Sequence, residues 1–203
     1  IIEGDNILDQ ISNFIDYGVK FDNMDTKEKI DTIKDNICSA NVYIDSFNIK
    51  DALKKGADIV LAGRVSDPGL SLGPMLYEFN WDKNEYHKIA SGTLAGHIVE
   101  CGAQCTGGNH TKWKDVPNIE SIGYPIINIC SDSTFTITKN NGTGGLINKY
   151  TICEQILYEM GNPKKYISPD VCVDFTSFNI VDNGNNSVSI SNTKGYKPTD
   201  TYK

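Results

Sequence analysis

The sequence predicts an α/β fold with a mostly parallel sheet and flanking helices, grading into an antiparallel hairpin near the C-terminus. Phe47–Lys55 reads as a helix that stops at Gly56, a common residue after a helix C-terminus. The short apolar run Ala57–Ala62 follows directly, and a helix, a glycine and a buried strand in this order are typical of parallel sheets. A later stretch, Val171–Ser191, alternates around the turn residues Asp182–Gly184 and indicates a hairpin.

The N-terminal part begins with Ile1-Ile2, an apolar pair that resembles a strand leaving a sheet. Because a natural N-terminus seldom begins inside a strand, we expect the chain to be a piece of a longer protein, incomplete at both ends. The next element is a predicted helix, Asp25–Cys38, with Glu28 three residues after Asp25 as in a capping box. Isoleucines recur along it at helical spacing.

The middle of the chain predicts a buried helix, two strands and a glycine-rich loop. The helix, Ser91–Cys105, is rich in small residues, and the strands are Ile122–Ile129 and Thr134–Thr138. The loop Gly142–Gly145 precedes a further helix that reaches Met160 and stops at Gly161. In the hairpin that follows, the two strands are Val171–Val181 and Ser187–Ser191.

These elements predict a single α/β domain fragment over residues 1–203. Residues 1–130 form its parallel α/β part, and residues 131–203 form a strand, loop and helix followed by the hairpin. A chain of 203 residues has the length of one ordinary domain.

The composition excludes several classes of partner. The net charge of −7 argues against a general nucleic-acid binder, which needs a basic surface, and against docking on anionic membranes. No apolar run approaches the roughly 20 residues of a membrane span. We therefore expect a small-molecule ligand and no nucleic acid or membrane partner, and a homo-oligomer is compatible with the sequence.

The six cysteines are spread along the chain without a compact disulfide framework. We interpret them as reduced thiols, which is typical of a cytoplasmic protein.

Four blocks of sequence resemble those of the acyclic terpene utilisation (AtuA) family. The run Gly56–Asp67 is similar to the family's GADIV-x-x-GR-x-x-D block, and Gly96–Gly108 to its GH-x-x-ECG-x-Q-x-x-GG block. Glu154–Glu159 and Tyr166–Val171 match two more blocks. The initial Ile2–Asp5 resembles a V-x-GDD motif, with Asn following in place of the second Asp.

The resemblance implies a metabolic setting. The family takes its name from gene clusters for the breakdown of citronellol and geraniol, whose other members act on acyl-CoA thioesters. It implies an enzyme of acyclic terpene or branched-chain acyl-CoA catabolism, with hydratase, lyase or thioester chemistry and acyl-CoA as a substrate rather than a cofactor. The alternative is a non-catalytic ligand-binding or scaffolding subunit associated with an acyl-CoA carboxylase pathway.

The best catalytic candidates lie on the predicted helix Ser91–Cys105: His97, Glu100, Cys101 and Gln104. Helical offsets of three, four and seven residues place them on one face. A histidine four residues before a cysteine can take the thiol proton, and a glutamate can orient the imidazole or act as a base. The structural alternative is that the polar side chains satisfy buried backbone groups and that the cysteine is an ordinary core residue.

Substrate-binding candidates lie on two loops. Arg64 and Asp67 follow the predicted strand Ala57–Ala62, where ligands bind in parallel α/β sheets. Arginine offers a planar fork for a carboxylate or phosphate, unless it forms a structural ion pair, and aspartate in this position is also a common turn residue. We expect these two residues to share one cleft with the polar face of the helix.

The second loop contains Gly142, Gly144 and Gly145, whose amides are predicted to approach a phosphate or thioester in that same cleft. A plain tight turn explains the glycines equally well.

A metal site is a weaker alternative. His97, Glu100 or Cys101, Cys105 and His110 supply suitable ligands, but their spacing matches neither H-E-x-x-H nor a paired C-x-x-C motif. We therefore expect no metal.

Overall fold

The structure is a computed structural model that describes residues 1–199. Within this range the chain is a mixed α/β fold with five helices and two antiparallel sheets. The helices are α1 (Ile11–Asp16), α2 (Phe47–Lys54), α3 (Gly69–Glu78), α4 (Tyr86–Val99) and α5 (Lys149–Leu157). The strands are β1 (Pro125–Ile129), β2 (Phe135–Lys139), β3 (Tyr166–Ile167), β4 (Cys172–Asp174), β5 (Asn179–Gly184), β6 (Ser187–Ser191) and β7 (Lys194–Tyr196).

The prediction of a mostly parallel sheet is wrong. One sheet has the order β1-β2-β6-β5 and the other β3-β4-β7, and every pair of neighbours is antiparallel. The strands predicted at Ile122–Ile129 and Thr134–Thr138 do form, as β1 and β2, but they are joined as a hairpin in which Ile127 faces Ile137. Parallel pairing in the described residues is confined to isolated bridges such as Ile2 with Ala62 and Ile44 with Val65.

The predicted central strand Ala57–Ala62 does not form, because its apolar residues have no covering layer. Ile59 is 87% exposed and Leu61 is 65% exposed. A parallel strand is stable when both its faces are buried, and this segment buries neither side chain. It contributes one backbone bridge to Ile2 instead.

Helix α4 is the centre of the fold. It packs against α3, α5 and β7, and its residues Leu94 and Ile98 are fully buried in the main hydrophobic core. Close packing depends on Gly96, where a Cβ atom would lie 2.6 Å from the carbonyl oxygen of Pro68. The small residues predicted from this segment therefore bring the start of α3 against α4, as expected for residues without bulky side chains.

The predicted helix Ser91–Cys105 has different ends in the structure. It begins earlier, at Tyr86, and its α-helical part ends at Val99. Gly102 then adopts a left-handed backbone with φ of 55°, and the next residues form only a short 3-10 turn, Gly102–Gln104. A left-handed glycine after a helix is a common termination signal, here placed inside the predicted helix rather than after it.

The C-terminal hairpin is confirmed, with its turn shifted. Strands β5 and β6 pair around Asn185 and Asn186, which both have positive φ, as type I′ hairpin turns require. The predicted strand Val171–Val181 is divided: Cys172–Asp174 (β4) belongs to the other sheet.

The prediction of a helix over Asp25–Cys38 is wrong. Only two 3-10 turns form there, Ile30–Thr32 and Lys34–Asn36, and Ile33 is 58% exposed. Because none of the three isoleucines of this stripe is fully buried, helix formation gains little burial, and short isolated helices are marginal in water. The helix after the glycine loop forms as α5 but ends at Leu157, before Met160.

Across residues 1–199 we find no helix with the length and apolar character needed to cross a bilayer.

Candidate functional site

Four parts of the chain meet around the C-terminal end of α4. They are the residues His97–Cys101, the second half of α5, strand β3 and the loop that contains Asp67. The core packing of α4 against α3 and α5 fixes this arrangement, because α4 is buried along almost its whole length.

His97 is held by α5 and is only 2% exposed. Its Nε2 atom lies 3.2 Å from the backbone carbonyl oxygen of Ile156. Since a carbonyl oxygen only accepts hydrogen bonds, Nε2 must donate, which places a proton on this nitrogen.

The other ring nitrogen of His97 faces a carboxylate. Nδ1 lies 3.1 Å from Oε1 of Glu100, one turn further along the chain. A bare Nδ1 and an ionised carboxylate are both acceptors, so a hydrogen bond can join these two atoms only through a proton on one of them. The two atoms are as close as in a hydrogen bond, but they are not aligned for one. Nδ1 makes no hydrogen bond to any described residue. The imidazole and the carboxylate are therefore close neighbours that no aligned hydrogen bond ties together.

Two aromatic rings enclose the imidazole. The ring centroids of Tyr166 and Phe175 lie 5.7 Å and 5.5 Å from that of His97, and the two rings stack on each other at 4.8 Å. Burial raises the pKa of the Tyr166 hydroxyl, and the nearby carboxylates of Glu100 and Asp67 raise it further. On this side of the site the aromatic rings form an apolar wall, and the nearby carboxylates make its surroundings negative.

Cys101 lies next to the pair but is not activated. Burial raises the pKa of its thiol, and the charge of Glu100 adds to the effect. A hydrogen bond with Gln155 acts in the opposite direction, while Glu159 and Asp67 raise the pKa again. A reactive cysteine needs positive surroundings that favour its thiolate, and these surroundings are acidic.

Asp67 lies near Cys101 and Tyr166. It lies near enough to Cys101 and Tyr166 for its charge to raise the pKa of both. It also lines a narrow depression together with Tyr43, Ser66 and Tyr166. The structure thus brings Asp67 to the end of α4.

Arg64 lies on an adjoining depression of about 350 Å³, which is lined also by Asp5 and Asn41. Its guanidinium sits 5.8 Å from the ring centre of Tyr43, a residue that lines the depression containing Asp67. The Asp5 carboxylate accepts hydrogen bonds from the Asn41 side chain, at 2.7 Å, and from the backbone of Arg64, which hold its pKa below the usual range. Within residues 1–199 the guanidinium of Arg64 forms no ion pair.

The glycine loop uses its amides internally. The Gly144 amide donates to the carbonyl of Ser121 and the Gly145 amide to that of Pro117. A Cβ atom on Gly144 would lie 1.8 Å from the carbonyl oxygen of Asn118. Close backbone approach accounts for these two buried glycines, and the exposed Gly142 has a left-handed φ of 81° that suits a turn. The glycine loop is therefore not part of the proposed site.

His110, one of the ligands considered for a metal, has another partner. Its Nδ1 atom lies 2.7 Å from the Glu154 carboxylate, which also accepts from the amide of Thr111. Across residues 1–199 no group of three or more His, Cys, Asp or Glu side chains is placed to hold a metal ion. All six cysteines are free thiols, as predicted.

Three residues of the site were not among the sequence candidates: Gln155, Glu159 and Tyr166. Gln155 is fully buried, and its Nε2 atom lies 3.4 Å from the backbone oxygen of His97. The signal that could have found them is the pair of short blocks Glu154–Glu159 and Tyr166–Val171, which contain all three. Gln104 was a candidate, and its Oε1 atom is buried without a partner in the described residues.

Comparison with known proteins gives one family. The model of the acyclic terpene utilisation family protein AtuA matches residues 1–203. Neither the curated proteins nor the solved structures include one that is detectably similar. Because the family model covers the whole sequence, the chain belongs to the AtuA family of acyclic terpene utilisation proteins.

Proposed function

We propose that this chain is an enzyme of acyclic terpene or branched-chain acyl breakdown that adds or removes water by acid–base chemistry. Family membership supports the metabolic setting. The observation that carries the reaction class is the contact of 3.1 Å between His97 Nδ1 and Glu100 Oε1, with Nε2 of the same ring donating to Ile156. Such a pair can take a proton and return it.

The proposed step needs water and an α,β-unsaturated acyl substrate. Glu100, supported by His97, takes one proton from water while the water oxygen bonds to the β-carbon. The electron pair of the C=C bond moves to the α-carbon and its carbonyl. The α-carbon then takes the proton back from the pair, which ends in its starting state. The reverse sequence removes water from a 3-hydroxyacyl substrate.

Thioester transfer through Cys101 has less support. That reaction needs a thiolate, and burial together with Glu100 raises the pKa of this thiol. We assign Cys101 to the wall of the site.

Arg64 is proposed to hold the anionic part of the substrate. Its exposed guanidinium suits a carboxylate or phosphate, and it lies beside Tyr43, which lines the depression that contains Asp67. An extended acyl-CoA or carboxylate substrate would lie across Tyr43, with its reacting carbons toward Glu100.

The test is turnover of branched α,β-unsaturated and 3-hydroxyacyl-CoA thioesters by the 203-residue chain, followed as loss or gain of one water by mass spectrometry. We expect the Glu100→Gln variant to lose about 10²- to 10⁴-fold in rate, as when a general acid–base group is removed. The matched control is Glu120→Gln, which removes an exposed carboxylate elsewhere and should leave the rate unchanged.

Full turnover by Glu100→Gln would contradict the proposal. Ligand binding without turnover of any thioester in the panel would also contradict it, and would favour the ligand-binding or scaffolding subunit.

A further inference from the structure

The site contains buried polar atoms that no described residue satisfies. In residues 1–199 five buried side-chain atoms lack a hydrogen-bond partner. Four of them belong to α4, the turn after it and α5: His97 Nδ1, Glu100 Oε2, Gln104 Oε1 and Gln155 Oε1. A buried polar atom without a partner is destabilising, and three of these residues, His97, Glu100 and Gln155, are in mutual contact through His97, which points to a ligand there.

The orientation of the Gln155 amide is fixed. Its Nε2 atom reaches the backbone oxygen of His97, which only accepts hydrogen bonds. The Oε1 atom therefore occupies the other branch of the amide, and it is an acceptor in a side chain that is fully buried. A ligand group that contacts it must be a hydrogen-bond donor.

Gln155 and Glu100 are neighbours of the same two residues, His97 and Cys101. Gln155 contacts both the backbone of His97 and the thiol of Cys101, and His97 contacts Glu100. Burial is the main cause of the raised pKa of the Cys101 thiol, and the charges of Glu100, Glu159 and Asp67 raise it further, so the surroundings of this thiol are negative. A carboxylate or phosphate is repelled there, whereas a neutral O–H group is favoured.

We propose that Gln155 holds the O–H group of the attacking water and of the resulting hydroxyl, and thereby selects 3-hydroxyacyl substrates. This inference rests on the proposed water-addition reaction. Water has two O–H bonds: one proton goes to Glu100, and the other stays on oxygen and donates to Gln155 Oε1. In the hydroxylated product that second O–H bond is intact, so the same hydrogen bond holds the product.

In this role Gln155 contacts the substrate but exchanges no proton with it. It determines specificity because a substrate whose β-carbon has no hydroxyl leaves Oε1 buried and unpaired. Sites that hydrogen-bond a substrate hydroxyl discriminate strongly against analogues that lack it.

The experiment measures binding, so that it is independent of turnover. The probes are the coenzyme A thioesters of 3-hydroxy-3-methylbutanoate, of 3-methylbutanoate and of 3-methoxy-3-methylbutanoate, titrated calorimetrically into the 203-residue chain. We expect the hydroxylated probe to bind at least about tenfold more tightly than the other two, since one hydrogen bond to a buried acceptor contributes about that factor.

The matched variants are Gln155→Met, which has similar volume but no acceptor oxygen, and Gln155→Asn, which keeps the amide. Gln155→Met should lose the preference for the hydroxyl while its affinity for the 3-methylbutanoate thioester changes little, and Gln155→Asn should recover part of the preference. A folded Gln155→Met variant with the full preference would overturn the proposal. If that variant does not fold, the native chain still decides, because equal binding of the hydroxy and methoxy probes would overturn the proposal as well.

The proposed reaction and the proposed role of Gln155 can be disproved independently of each other. Loss of the hydroxyl preference in Gln155→Met with unchanged turnover by Glu100→Gln would remove the reaction but keep the recognition site. The opposite pair of results would keep the reaction and remove the role of Gln155.

Discussion

His110 and Glu154 lie 44 positions apart in sequence, and the imidazole Nδ1 of the first lies 2.7 Å from the carboxylate of the second. The His110 side chain is 8% exposed and that of Glu154 29%. This contact ties the loop after the Gly107-Gly108 pair to α5, the helix that presents Gln155 and the Ile156 carbonyl to His97.

The first prediction concerns that contact. Replacing His110 with Ala should lower the free energy of unfolding by about 1–3 kcal/mol, because the partly buried Glu154 carboxylate loses its imidazole N–H donor. Urea denaturation measures the change. Lys112→Ala, an exposed change in the same loop, is the control and should stay within about 0.5 kcal/mol of the original chain. Equal stability of the two variants would show that the contact does not stabilise the fold.

The second prediction concerns Asp170, whose carboxylate accepts the backbone N–H of Ser46 at 2.8 Å and its hydroxyl at 2.7 Å. Burial raises the pKa of this carboxyl from 3.8 to about 6, although the bonds from Ser46 oppose the rise. Between these pH values the folded chain keeps a proton that the unfolded chain releases. This group therefore lowers the stability of the fold as pH rises from about 4 to about 6, by up to about 3 kcal/mol.

The Asp170→Asn variant lacks this ionisation, so its stability relative to the original chain should increase as the pH is raised through that window. Chemical denaturation at pH 4 and pH 7 measures it. Asp132→Asn is the opposite control: hydrogen bonds from Thr134 lower the pKa of Asp132, so this variant should be relatively less stable at pH 7 than at low pH. A constant difference between Asp170→Asn and the original chain at both pH values would contradict the raised pKa.

The third prediction concerns the thiol of Cys101. Because its pKa is raised, little thiolate is present near neutral pH, and alkylation by iodoacetamide should be slower than at the exposed Cys38. Peptide mass spectrometry gives both rates in one sample. In line with this, Cys101→Ala should reduce turnover less than tenfold, as expected for a wall residue. Rapid alkylation of Cys101 accompanied by complete loss of turnover would restore the thioester mechanism.

The fourth prediction concerns the glycine loop. Replacing Gly144 with Ala should destabilise the fold by about 2 kcal/mol or more, since the added Cβ would lie 1.8 Å from the carbonyl oxygen of Asn118. Gly161→Ala is the control, because a Cβ there meets nothing within 4 Å. Thermal denaturation compares the two. A Gly144→Ala variant with native stability but weakened substrate binding would return the loop to the binding site.

The sequence predicted those elements whose signals are local. The helix Phe47–Lys54 ends where Gly56 adopts a positive φ of 83°, and the hairpin β5–β6 turns at asparagines that tolerate a left-handed backbone. The contact between His97 and Glu100 also follows from local spacing, because the two residues lie three positions apart at the end of one helix. In each case a few adjacent residues determine the structure.

The sheet direction was not predictable in this way. The apolar run Ala57–Ala62 suggested a buried central strand, but no layer of residues 1–199 covers Ile59 or Leu61. Burial depends on segments distant in sequence, and periodicity alone does not show them. Gln155 was missed for the same reason, because its role depends on α5 packing against the end of α4.

The most direct test of the account is the protonation state of His97, observed by ¹⁵N NMR of the histidine-labelled chain. We predict a proton on Nε2, donated to Ile156, and an Nδ1 signal that changes when Glu100 is replaced by Gln, since the carboxylate 3.1 Å from this nitrogen is gone. His87, whose Nδ1 accepts from the Gly195 amide, is the internal reference and should not change. A bare Nε2, or an Nδ1 signal indifferent to Glu100→Gln, would contradict the proton-sharing pair on which the proposed function depends.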